Sequence, residues 1–250
     1  MTTASRPRTA AILCIGNEIL SGKVEETNAQ FLSRELWALG VRLRIVLVLP
    51  DEIPVIAEHL RRVKPDHDFV ITTGGVGPTH DDVTMEAIAF ALDRPLARVP
   101  EFEKGLRDFY KERCNDVVLR MASVPRGARL TWKDQVFFPL VQVENVTILP
   151  GDPEIMRRKF LSVRESFRGE PFRLAKIFTL LDEGDIADAL RDALGRFPKV
   201  EIGSYPVYSK SDYRVMVTIE STDGASVAGA RDFLLGAFPR ETIVRVESPS

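Results

Sequence analysis

The chain has 250 residues, with 34 Lys plus Arg against 36 Asp plus Glu and a formal net charge of -2. Hydrophobic residues make up 44% and charged residues 28%, the balance of a soluble globular protein, which excludes a disordered or fibrous chain. The even charge argues against a dedicated nucleic-acid binder, which needs a basic surplus to neutralise phosphates.

Cys14 and Cys114 are too few and too far apart for a disulfide framework or a zinc cluster, and read as free thiols in a reducing compartment. The apolar run Ala10–Ile15 is shorter than a signal-peptide core of about 7–15 residues and runs at once into Asn17 and Glu18. No window reaches the ~20 apolar residues that span a bilayer. The expectation is a soluble cytoplasmic protein with no membrane partner.

In chain order, Thr9–Ile15 is a continuous apolar run, as expected of a strand buried on both faces. Asn28–Leu39 has helical spacing and Gly40 is placed to stop it. Val41–Leu49 alternates as a strand, Ile53–Val63 is helical, and Phe69–Thr73 is a third strand running into a glycine-rich turn. Val83–Leu92 is again helical, with the helix start placed near Asp82. This alternation predicts an α/β fold: a mostly parallel sheet with helices on both faces. Glu101–Arg113 and Val117–Met121 read as helices, and Ser123–Trp132 as loop and a short strand. Val136–Val143 and Asn145–Leu149 read as a strand pair, followed by the helix Glu154–Phe167.

A composition change at Phe167–Pro171 suggests a linker, dividing the chain into residues 1–168 and 172–250. The second part reads strand Phe172–Leu181, helix Asp185–Leu194, strands Val200–Tyr208 and Tyr213–Glu220, helix Ser226–Phe238 and strand Thr242–Val246. That is the β-α-β-β-α-β order of a small ferredoxin-like α+β domain.

In an open parallel sheet, ligands bind beyond the carboxyl ends of the strands. The polar segments Gly16–Asn28, Pro50–Glu52, Gly74–Thr84 and Pro150–Pro153 all fall at such ends. In Gly74–Thr84 the glycines Gly74, Gly75 and Gly77 let the backbone approach a ligand, and successive amides can cradle an anion. Thr79, Asp81, Asp82 and Thr84 add hard oxygens suited to a divalent cation bridging phosphates. The alternative is a tight turn in which Asp81 or Asp82 caps the following helix. His80 could act as acid, base or metal ligand, but a single histidine in a turn is more often a local hydrogen-bonder. Gly16–Val24 fails as a P-loop: five residues separate Gly16 from Gly22 and Val24 follows Lys23. It reads instead as a flexible loop.

Three segments, GNEILSGKVEETN, TTGGVGPTHDDVT and LPGDPEIM, together resemble the molybdopterin-binding (MoaB/MogA-like) fold in its CinA-type, competence/damage-inducible branch. Within that branch the chain most resembles the N-terminal domain of eukaryotic FAD synthases, over about residues 9–247. The resemblance implies metal-dependent hydrolysis of a nucleotide diphosphate such as ADP-ribose or FAD, with Mg²⁺, Mn²⁺ or Co²⁺. The alternative it implies is a non-catalytic molybdopterin or nucleotide binder. On that basis Gly74, Gly75 and Gly77 would hold phosphate, with Thr79 and Thr84 nearby. Asp82 would hold metal or orient water, supported by Asp81 and Glu18, while Asn28, Asp51, Gly151 and Asp152 would line the pocket. A homo-oligomer, dimer or trimer, is also implied. A CinA amidase-like domain and an FAD-synthase adenylyl-transfer domain are not expected. Residues 172–247 carry no G-x-x-G clamp, so no nucleic-acid partner is expected.

Overall fold

A computed structural model describes residues 7–132, 138–209 and 211–248. The chain divides into two compact units, one spanning Pro7–Gly169 and the other beginning at Glu170.

The first unit is built on strands β1 (Arg8–Ile15), β2 (Val41–Leu49) and β3 (Phe69–Thr73). Short strands follow: β4 (Leu96–Arg98), β5 (Ser123–Pro125), β6 (Arg129–Thr131), β7 (Leu140–Val143) and β8 (Val146–Leu149). The main sheet runs β2-β1-β3-β8-β7-β6. Its first four strands pair in parallel and β8, β7 and β6 in antiparallel, so the sheet is mostly parallel as expected. The strand pair expected at Val136–Val143 begins only at Leu140; residues 136 and 137 lie outside the described residues. Strands β4 and β5 form a separate antiparallel pair absent from the sequence reading, because three residues are too few to show alternation.

β1 is buried throughout Ala10–Ile15 and splits its side chains by the two-residue period of a strand. Ala11, Leu13 and Ile15 face one core and Ala10, Ile12 and Cys14 the other. The first core is covered by helices α3 (Ile53–Val63), α4 (Thr84–Ala91), α5 (Pro100–Tyr110) and α6 (Asp116–Leu119). The second is covered by α2 (Asn28–Ala38) and α7 (Pro153–Val163). The segment after β1, expected to be a loop, contains the short helix α1 (Asn17–Leu20). Gly40 sits just beyond α2 at φ 73°, a left-handed position that ends the helix at no steric cost.

The second unit has strands β9 (Arg173–Thr179), β10 (Glu201–Pro206), β11 (Val215–Ser221) and β12 (Ile243–Glu247) with helices α8 (Glu183–Arg196) and α9 (Gly224–Ala237). Its antiparallel sheet, in the order β10-β11-β9-β12, buries one face against both helices around Ile177, Val217, Ile186 and Leu234. Among the described residues no helix is long and apolar enough to cross a membrane.

Candidate functional site

The four segments at the carboxyl ends of β1, β2, β3 and β8 are tied together by hydrogen bonds. The Gly16 amide donates to the Leu49 carbonyl at 3.0 Å and the Gly74 amide to the Leu149 carbonyl at 3.2 Å. The Asn17 amide donates to Asp51 Oδ2 at 2.8 Å, and Asn28 Nδ2 donates to the Gly151 carbonyl at 2.8 Å. Gly151 in turn approaches Gly74: a Cβ on it would lie 3.3 Å from Gly74 Cα.

The turn after β3 depends on its glycines. Gly74 and Gly75 have φ of 97° and 62°, and a Cβ on either would collide, with the Ile15 carbonyl oxygen and the Thr84 hydroxyl respectively. At Gly77 a Cβ would lie 2.6 Å from Asp82 Oδ2, so the main chain there is open to the carboxylate. Thr84 is buried and spent on the turn itself, its hydroxyl donating to the Gly74 carbonyl at 2.8 Å and its amide to the Gly75 carbonyl at 3.0 Å.

These bonds place the start of α4 at Thr84, two residues later than the sequence suggests, with Val83 as N-cap and no side-chain cap. Asp81 and Asp82 therefore do not cap the helix. Both turn back onto Thr79: its amide donates to Asp82 Oδ2 at 2.8 Å. Its hydroxyl lies 2.6 Å from Asp81 Oδ1 and 2.5 Å from Asp82 Oδ2. One hydroxyl proton serves one carboxylate at a time, which leaves the other's lone pairs free.

The hydroxyl of Thr79, the Asp81 backbone amide and, more weakly, His80 hold the Asp81 carboxyl below its ordinary value. Asp51 moves the other way. Burial raises it, the Asn17 amide opposes that, and the charges of Glu18, Asp81 and Asp82 raise it further. Four carboxylates from three strand ends thus share one field.

Two hollows flank the turn. A cleft of about 320 Å³ lies on the α4 side, lined by Gly75–Thr79 and Asp82 of the turn and by Met85, Leu96, Val117, Arg120 and Met121. A smaller one, about 60 Å³, lies toward α2 and α7 and is lined by Glu18, Glu26, Asn28, Thr73, Gly74 and Gly151. Beneath it the Cys14 thiol is pushed up to about 12 by burial and by Glu26; Thr73 and Glu26 are its hydrogen-bond partners.

The residues expected at the site thus meet: Glu18, Asn28, Asp51, Gly74, Gly75, Gly77, Thr79, Asp81, Asp82 and Gly151. Two are tied up by the fold itself. Asp152 caps α7, accepting from the Ile155 amide at 2.9 Å, because it stands just before the first turn of that helix. Thr84 is an internal tie. The His80 side chain is 98% exposed, 3.9 Å from Asp81 Oδ1. Sequence reasoning passed over Arg120, Val117 and Met121, whose helical run carries no signal of a cleft until β4 and β5 fold against α4.

Among the described residues no three His, Cys, Asp or Glu side chains group to hold a metal ion. Asp81 and Asp82 provide two carboxylates, which suits a Mg²⁺-type ion that takes its remaining ligands from phosphate and water.

The fold and turn define an α/β protein with a glycine-rich turn at the carboxyl ends of its parallel strands. Residues 11–167 match the family profile described as probable molybdopterin binding domain, and residues 171–247 that of the FAD synthase middle domain. A protein of Archaeoglobus fulgidus is 36% identical over 88% of this chain and 93% of its own length. A probable FAD synthase of Caenorhabditis elegans is 33% identical over 92% of this chain and 50% of its own. A CinA-like protein of Thermomicrobium roseum is 45% identical over 96% of this chain and 60% of its own. The chain therefore spans half the length of that FAD synthase and 60% of that CinA-like protein. The crystal structure of the protein CinA with unknown function from Thermoplasma acidophilum matches with a TM-score of 0.60 at 28% identity, covering 65% of this chain and 99% of that one. The chain belongs to the probable molybdopterin-binding-domain family.

Proposed function

We propose that the protein is a metal-dependent hydrolase of nucleotide diphosphates, of the ADP-ribose or FAD pyrophosphatase kind, acting at the Gly74–Asp82 turn. The observation that carries this reading is the pairing of an open glycine backbone with two fixed carboxylates: Asp82 Oδ2 faces Gly77 while Thr79 holds it in place. Cleaving a phosphoric anhydride requires neutralised charge, an aligned water and an oriented leaving group, not a covalent nucleophile. Glycine amides would orient the phosphates. A divalent cation, Mg²⁺, Mn²⁺ or Co²⁺, would neutralise charge there when bound. Asp82 and Asp81 are the residues to hold it, and the field of four carboxylates is the one a cation would relieve. The similarity to FAD synthases supports a nucleotide-like ligand.

A second reading, a non-catalytic molybdopterin or nucleotide binder, is favoured by one observation: only two carboxylates, short of a preformed cage, sit at the turn. The family description supports molybdopterin as that ligand. Incubating purified protein and metal with ADP-ribose or FAD and measuring AMP release separates the two. Hydrolysis lost in Asp82→Ala supports the enzyme; no turnover alongside tight molybdopterin binding overturns it.

A further inference from the structure

The smaller hollow carries one polar atom that folding leaves unanswered. Asn28 is only 5% exposed, and among the described residues its Oδ1 has no hydrogen-bond partner. Its orientation is set by chemistry: Nδ2 donates to the Gly151 carbonyl, and a flipped amide would bring two acceptors together. Two other polar residues of the wall are satisfied internally. Thr73 and Glu26 engage the Cys14 thiol, and Glu26 Oε1 also accepts the Ala29 amide at 2.7 Å. A buried acceptor left unpaired is costly, so a group that donates to it is strongly favoured.

What kind of donor follows from size, neighbours and position. The hollow holds about 60 Å³, roughly the volume of two waters at ~30 Å³ each, enough for the edge of a sugar and too small for a base. Glu18 lines the same space, its carboxylate folded over Gly16, so the hollow is walled by one carboxylate residue and by the asparagine whose acceptor is unpaired. The hollow also adjoins Gly74, where the phosphate turn begins, and the group next to phosphate in a nucleotide is its sugar. A carboxylate reading ribose hydroxyls beside a glycine-rich phosphate turn has precedent in dinucleotide folds.

We infer that Asn28 Oδ1, together with Glu18, accepts the hydroxyls of a ribose, making the site selective for ribonucleotide over deoxyribonucleotide ligands. This rests on the nucleotide reading of the glycine turn and adds to it the sugar class and the residues that choose it. Asn28 is thus a specificity residue and, through Gly151, a positioning one.

Calorimetric titration of the full chain with AMP, 2′-deoxy-AMP and 3′-deoxy-AMP tests this without requiring turnover. At least one deoxy ligand is expected to bind about tenfold more weakly than AMP, the equivalent of one well-made hydrogen bond in a buried site. Asn28→Ala should remove that gap while retaining AMP binding. Should Asn28→Ala unfold, Glu18→Gln, at an exposed position, should narrow the same gap on its own. Equal binding of all three ligands to the wild type, weakened alike by Gly77→Ala, would overturn the sugar assignment, leave the nucleotide reading standing and make the hollow a water site. No binding of any of the three would overturn both.

Discussion

The Asn17 amide donates to the Asp51 carboxylate across 2.8 Å, joining the end of β1 to the end of β2 at the mouth of the site. That bond lowers the Asp51 pKa, yet burial and the charges of Glu18, Asp81 and Asp82 outweigh it and leave the group raised. Asp51 therefore reports on the field that any cation or phosphate at the turn would enter.

The first prediction concerns that field. Asp82→Asn removes one negative charge without changing shape, so the Asp51 pKa should fall toward its ordinary 3.8. Carbon-detected NMR titration of the side-chain carboxyls measures this directly. An unchanged or higher value would mean that the two groups do not share a field.

Gly74→Ala should disrupt both fold and site. The residue sits at φ 97°, and its new Cβ would meet the Ile15 carbonyl oxygen, which the sheet holds rigidly. Left-handed strain and the clash together predict a loss of about 2–4 kcal/mol in unfolding free energy. Urea denaturation provides the measurement. Gly22→Ala is the control: its φ is 69°, but nothing lies within 4 Å of its Cβ position, so only the smaller conformational cost applies.

The two thiols should separate cleanly. Cys14 is fully buried with its pKa pushed up to about 12, whereas Cys114 is only partly buried. At pH 8 a thiol reagent should therefore modify one cysteine per native chain, and the second only after denaturation. Because the folded pKa exceeds the ordinary 9.0, the folded state holds its proton where the unfolded state loses it. The contribution of Cys14 to stability is thus intact below pH 9 and declines from there toward pH 12. Cys14→Ala should flatten that alkaline decline in a denaturation series; equal slopes would count against the assignment.

An acid-side test lies in the β7–β8 hairpin. Glu144, at φ 52° in the turn, pairs with Lys64 at 2.5 Å and Arg94 at 2.7 Å, and the Lys64 bond is the main reason that its pKa is lowered. A depressed carboxyl stabilises fully above its ordinary 4.5 and loses that contribution as pH falls through the lower folded value. The stability advantage of wild type over Glu144→Gln should accordingly be constant above pH 4.5 and vanish in stronger acid. Partial exposure of all three groups keeps the advantage modest.

Much of the fold is legible in the residue pattern, for a physical reason. Val41–Leu49, Ile53–Val63 and Phe69–Thr73 begin and end where periodicity and punctuation place them, since each is long enough to display its period and is closed by Pro, Gly or a charge. β4 and α1 escape notice, and only one short strand is anticipated where β5 and β6 both form, because three or four residues hold no period. The start of α4 is misplaced because Asp81 and Asp82 look like helix caps. Only the folded turn reveals that both carboxylates turn back onto Thr79 instead of the helix.

The sequence by itself determined the chemistry available: three glycines in four positions, paired aspartates, and polar segments after each parallel strand. It also determined the family, since those segments are contiguous motifs. The tertiary structure decided which groups are free to act. Thr84 and Asp152 look like site residues in the chain but are consumed by the turn and by α7. Arg120 looks like surface and lines the larger cleft. Asn28, 123 residues from Gly151, acquires its open acceptor only because the carbonyl of Gly151 takes the other end of its amide. Hydrogen-bond satisfaction is a property of neighbours in space, and spacing along the chain does not encode it.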